Sequence, residues 1–194
     1  MRTFNVRRHA GLLAAIGCGA TLLSVSGAAA AAADASKAFF DAALCKPPYT
    51  TKSATALYEA AEKLAKPDLS RLGAAIYKLA QPIGQDGFQS DEVVFAGTSA
   101  GVLVQGLQAE ALAARYQLKQ APSTLLGTAT KGFARALPAA QQPLPDLGTV
   151  SVVARESAAL PGKTLLICEL VSHADARALK AYERSRAEQG AAAR

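Results

Sequence analysis

The 194-residue chain has no Trp, one Met and only two His, and aromatic residues make up 6% of it. So few imidazoles leave little material for a histidine-based metal centre or proton shuttle. No spacing of His, Cys, Asp and Glu has the pattern of a metal-ligand set, and no cofactor is expected. The chain lacks a C-x-x-C pair, which argues against a thiol oxidoreductase. It also lacks the Walker and G-x-G-x-x-G runs whose backbone amides cradle phosphates. There is no block of like charge, and the formal net charge is a mild +6. Lys119, Lys131, Arg135 and Arg155 could share a basic surface. Without clustered aromatics or a recognisable module, however, a solvated face is the simpler reading and nucleic acid is not an expected partner. The apolar content of 51% excludes a wholly disordered chain, although alanine inflates it.

What the sequence does contain begins with an export segment. Met1-Arg2 and Arg7-Arg8 form a basic start, followed by an apolar run from Gly11 and small residues ending in Ala33-Asp34-Ala35. This order is that of a secretory signal over residues 1–35, cut after Ala35 or near Ala33. The run is Gly- and Ala-rich and broken by Ser24 and Ser26, which fits a retained membrane anchor poorly. Two finer readings compete: lipidation at Cys18, after Ala15-Ile16-Gly17, and twin-arginine export through Arg7-Arg8. The segment holds Arg2, Arg7, Arg8 and Asp34, which leaves +4 on the remainder, where His173 is the sole histidine. The expected location is periplasmic or secreted, with no stable membrane span after cleavage.

Cys45 and Cys168 remain after that cut. An even pair in an oxidising compartment reads as a disulfide.

Residues 36–189 are expected to form one domain, with residues 190–194 as a disordered tail. Residues 36–45 suggest a short helix stopped by Pro47-Pro48. Residues 53–65 suggest a helix burying Leu57, Ala61 and Leu64. Residues 107–118 suggest a third, with Leu107, Ala111 and Leu118 near one face and Leu112 adjacent. Residues 174–188 suggest a charged fourth, before which Ser172 or Asp175 suits a helix start. Residues 92–96, 102–105, 149–155 and 164–171 read as strands, with a turn at Leu160-Pro161-Gly162.

The stretch 69–82 fits either a helix or a strand. An internal comparison favours the strand. Ser70-Arg71-Leu72-Gly73 resembles Thr124-Leu125-Leu126-Gly127, and Tyr77 and Phe133 each precede a proline by five residues (Pro82, Pro138). Pseudo-repeats of about 53–106 and 107–172 then each read as a helix followed by three strands. The expected fold is α+β, with about six antiparallel strands and helices packed on one face. The strand in question runs from about Ala75 to Gln81, with its counterpart at Thr130 to Ala136. Cys45 then ties the first helix to the late strand carrying Cys168.

The strongest chemical motif is Gly97-Thr98-Ser99-Ala100-Gly101, a G-x-S-x-G run with Asp146 and His173 following in hydrolase order. A nucleophile elbow needs a helix after the serine, and here β-rich Val102-Leu103-Val104 follows. A hairpin turn is the simpler reading, so a serine hydrolase using Ser99 is a minor alternative.

The leading expectation is an exported, non-enzymatic binding protein for another protein of the envelope or exterior. The expected architecture resembles, at fold level only, exported enzyme-inhibitor proteins built from two helix-plus-sheet repeats, which implies an inhibitor- or immunity-like role. Loops 85–90, 97–101 and 157–162 are the candidate contacts, with Phe88, Ser99 and Leu160 as partner-binding residues. The alternative is a carrier of a small apolar ligand held between the sheet and the helices.

Overall fold

The computed structural model describes residues 37–46, 50–71, 73–121 and 129–192. The export segment with Cys18, the Pro47-Pro48 stop, residues 124–127 and the last two residues lie outside the described part.

Helix α1 covers residues 37–43, α2 Thr51–Leu64, α3 Ala109–Tyr116 and α4 His173–Ala192. The strands are β1 Pro67–Asp68, β2 Ala75–Gln85, β3 Phe88–Ala96, β4 Ser99–Gln105, β5 Lys119–Gln120, β6 Ala129–Ala136, β7 Gly148–Ser157 and β8 Lys163–Ser172. They form one antiparallel sheet in the order β1-β2-β3-β4-β8-β7-β6-β5. The fold is α+β. From α2 to β4 and again from α3 to β8, the chain runs helix, two-residue strand, then three long strands. The two sets meet along the central β4–β8 pair, where Ala100 faces Cys168 and Gln105 faces Lys163. The sheet thus has eight strands rather than six, the extra two being the short edge strands.

The ambiguous stretch after residue 69 is a strand. Its alternation puts Tyr77 and Leu79 with the helices and Ile76 on the other face. β2 runs past the expected Gln81 to Gln85, and its pairing with β3 breaks register between Lys78 and Ile83. Pro82 lies inside that break, where its missing N–H does no harm. Asp86 and Gly87 then both take positive φ (55° and 88°) and turn the chain in two residues. Segment 85–90 is therefore a tight hairpin, not a loop.

Helix α2 starts two residues earlier than expected because Thr50 caps it. The Ser53 amide donates to Thr50 Oγ1 (3.1 Å), and the Thr50 amide donates to Ser53 Oγ (3.0 Å). Ala61 is fully buried and Leu57 half-buried, but Leu64 is exposed. In α3 the expected face is corrected as well. Leu107 and Ala111 are exposed, and Ala109, Leu112 and Ala113 are buried. The cause lies at the helix start. Gln108 N–H donates to Thr164 Oγ1 (2.7 Å) and Ala109 N–H to the buried carboxylate of Glu156 (2.9 Å), which fixes the rotation of α3 on the sheet.

Helices α1, α2 and α3 pack on one face of the sheet, around Phe39, Phe40, Tyr77, Val102, Leu112 and Leu166. The Cys45–Cys168 disulfide fastens the end of α1 to β8 within this layer. Strand alternation sends Ile76, Val94, Leu103, Val153, Leu165 and Ile167 to the opposite face, where they form a second buried cluster with Leu160. No described helix contributes to this cluster. Strands that bury side chains on both faces read as nearly continuous apolar runs, as Val102-Leu103-Val104 and Leu165-Leu166-Ile167 do.

Ser172 opens α4. Its Oγ accepts from the Asp175 amide (3.0 Å) and donates to Asp175 Oδ2 (2.7 Å). The helix continues through Ala192, so residues 190–192 are helical rather than part of a disordered tail. No described helix is long and apolar enough to cross a membrane.

Candidate functional site

The face opposite α1–α3 carries its charges as pairs. Glu92 is buried (5% exposed) and accepts hydrogen bonds from Arg71 Nη2 (3.0 Å) and Lys163 Nζ. Arg155 (5% exposed) meets Glu169 through two N–H···O bonds of 3.1 and 2.8 Å. These pairs lie beside the apolar cluster, because Glu92 shares the phase of Val94, and Glu169 that of Ile167.

The Glu92 carboxyl titrates against opposing influences. Burial acts to raise its pKa, and the hydrogen bonds from Lys163 and Arg71 outweigh burial and hold it below the ordinary glutamate value. A depressed carboxylate contributes stability above its unfolded pKa and loses it as pH falls through its folded pKa. Urea midpoints from about pH 6 to about pH 3 should fall more steeply for the native chain than for Glu92→Gln. Parallel curves would show that this group carries no acid-linked stability.

The G-x-S-x-G run is accounted for by the backbone. Gly97 takes φ +56° in the β3–β4 turn, while Ser99, Ala100 and Gly101 are already in β4. A Cβ on Gly101 would lie 2.5 Å from the Leu166 carbonyl oxygen across the central pair. Strands flank the turn on both sides, and no helix follows Ser99. His173 is exposed, with Nε2 2.9 Å from the Pro145 carbonyl oxygen. Asp146 is exposed on the segment before β7. Among the described residues no hydrogen bond joins Ser99, His173 and Asp146.

The proposed contact residues need correction. Leu160 is 1% exposed, and Phe88 is half-buried against Tyr116 with ring centroids 6.1 Å apart. Tyr116 and Arg115 in turn both bond Asp86, so Phe88 helps seat the β2–β3 hairpin on α3. The three loops do not form one surface either. Because β3 and β4 run in opposite directions, the turn at 86–87 and the turn at 158–162 lie at one end of the sheet. The turn at 97–98 lies at the other. The four basic residues do not share one surface, because Arg155 is buried on the face opposite α1–α3 while Lys119 is exposed on the edge strand β5 beside β6. Arg155 is buried beside Glu169, Arg135 donates from Nε to the Tyr116 carbonyl (3.2 Å) on the helix side, and Lys131 pairs with Glu110 (2.9 Å).

Ser99 has a different setting from a nucleophile elbow. It lines a cavity of about 260 Å³ at the sheet end where β3, β4 and β8 meet the first turn of α4. Val94, Leu165 and Ile167 form its apolar wall, and Glu169 and Asp175 its polar side. A second hollow of about 230 Å³ lies between α2 and the β3–β4 turn, beside Tyr58 and Phe95. The space near Cys45 and Ala100, also between the helices and the sheet, is about 20 Å³, enough for one water molecule.

Sequence reasoning did not single out Glu169 or the Arg155 pairing, and it gave Asp175 only a role at the helix start. The available clue was Glu169 itself, a charge in phase with Leu165 and Ile167. Among the described residues no group of three or more His, Cys, Asp or Glu is arranged to hold a metal ion. No protein-family model matches this chain, and neither does any curated protein or solved structure.

Proposed function

We propose that this is an exported, non-enzymatic binding protein that engages another protein through the sheet face opposite α1–α3. The observation that carries this reading is that face itself, an apolar cluster flanked by the Arg71–Glu92–Lys163 and Arg155–Glu169 pairs, to which no described helix contributes. The cluster itself is buried (0–5% exposed), so what a partner meets is its half-exposed margin and the charged pairs around it. Half-exposed Ala96, Ala134, Ser151 and Val171 are where a partner first makes contact. The basic-then-apolar start and the disulfide support export to the periplasm or the exterior. The equivalent element order of the two sheet halves supports their origin in a duplicated helix-plus-strands unit. An inhibitor- or immunity-like role suits such a rigid sheet.

The test is capture of envelope proteins on the oxidised protein, read by mass spectrometry, against Ala134→Arg/Ser151→Arg with an unchanged thermal midpoint. One stoichiometric partner, lost in the variant, is the expected result. A partner retained in full by the variant would place the interface elsewhere, and no partner at all would remove the reading.

A further inference from the structure

We infer that the Ser99 cavity is a binding site for a small primary amine with a short apolar body. The inference goes beyond the partner-protein reading and does not depend on it, because a free amine needs no protein partner.

The argument begins with Ser99. On β4 it shares the phase of Leu103, so its side chain points to the face opposite α1–α3, towards the cavity it lines. The residue is 7% exposed, and among the described residues its hydroxyl has no hydrogen-bond partner. The hydroxyl opens on the cavity, where its bonding capacity is free for water or a ligand. Glu169 is its cross-strand neighbour, one step beyond the Ala100–Cys168 pair.

Charge decides the class of ligand. Glu169 and Asp175 are the charged residues of the lining, and no Lys or Arg contributes to it. Arg155 balances Glu169 from beyond the lining. Asp175 has no ion-pair partner among the described residues. The amino end of α4 carries partial positive charge, but Ser172 and Asp175 already cap it. The site therefore repels carboxylates and attracts cations. An alkylammonium carries three N–H donors, and the lining offers three acceptors: the Ser99 hydroxyl and the carboxylates of Glu169 and Asp175. Val94, Leu165 and Ile167 take the apolar body, and the small side chains of Ala74 and Ala96 leave it room. The volume lies just below the range of drug-sized sites, so the body is short.

The test titrates the oxidised protein with n-hexylammonium, hexanoate and hexanol, each followed by calorimetry and by amide chemical shifts. Hexylammonium should bind at least about tenfold more tightly than hexanoate, with hexanol between them. Asp175→Asn, which keeps a capping side chain, should weaken hexylammonium about tenfold and leave hexanol unchanged. Ala96→Phe, which fills the cavity, should abolish binding of both. Equal binding of hexanoate overturns the choice of an amine. Unchanged binding in a folded Ala96→Phe protein overturns the location, and absence of binding by all three probes overturns the site. The cavity shares Ala96 and Val171 with the proposed partner face, but Ala134 and Ser151 lie outside its lining, so loss of partner capture in that variant and loss of amine binding here are read separately.

Discussion

Removing the Cys45–Cys168 bond is expected to lower the folding free energy by several kcal/mol. The bonded residues are 123 positions apart. The chain-entropy relation assigns a loop of that length about 5 kcal/mol, and measured losses in small exported domains are about 2–5 kcal/mol. Either figure is a large share of a typical total of roughly 5–15 kcal/mol. The local setting works in the same direction. Cys168 is 0% and Cys45 6% exposed, so the bond is part of the packed layer that holds Phe39 and Phe40 on the sheet. Urea unfolding of the oxidised protein and of Cys45→Ala/Cys168→Ala, followed by circular dichroism, measures the difference. A midpoint within error of the native one would mean that α1 and the sheet stay together without the bond.

Gly101→Ala is expected to be nearly as damaging, although it adds a single methyl group. The new carbon would meet the Leu166 carbonyl oxygen at 2.5 Å, Ile167 Cβ at 2.8 Å and Ile167 Cα at 2.9 Å. Two of these atoms are backbone in the central β4–β8 pair, so relief requires moving the strands apart. Overpacking of this kind costs about 1–3 kcal/mol, and a backbone clash at the middle of a sheet belongs at the upper end. Ser99→Ala, two residues away, removes a hydroxyl without a described partner and should stay within about 0.5 kcal/mol. Thermal midpoints of the two variants, measured side by side, test the structural account of the motif. A tolerant Gly101 with a sensitive Ser99 would reverse it.

The sequence revealed elements whose signal is local and repeated. Val102 to Gln105, Val150 to Ala154 and Thr164 to Val171 carry enough apolar residues to announce strands by themselves. The strand at Ala75 was favoured over a helix by its likeness to the segment ending in Pro138. β1 and β5 could not be seen, since two residues have no period. The face of α3 was misjudged because Leu107 looks like its first apolar position. The helix actually begins after Gln108, and its rotation is set by Glu156 and Thr164, dozens of residues later. Asp86-Gly87 is a strong hairpin signal that was absorbed into a loop. The fate of Leu160 depended on which way a turn folds back, which no pattern reports. The Ser99 cavity was the least legible feature. It draws on residues from Ala74 to Asp175 in separate elements, and its serine attracted notice through a motif with another meaning.

The central β4–β8 pair also imposes an order of events on a chain that emerges from its N-terminus. β2, β3 and β4 each pair with a neighbour a few residues away, so their hairpins can close once Gln105 has appeared. Cys45 is then already present, but its native partner follows only when synthesis reaches β8. Until then the first half carries an open strand edge on β4 and a thiol without its mate, and β8 brings both the missing strand and the second thiol, which an oxidant of the compartment then joins to Cys45.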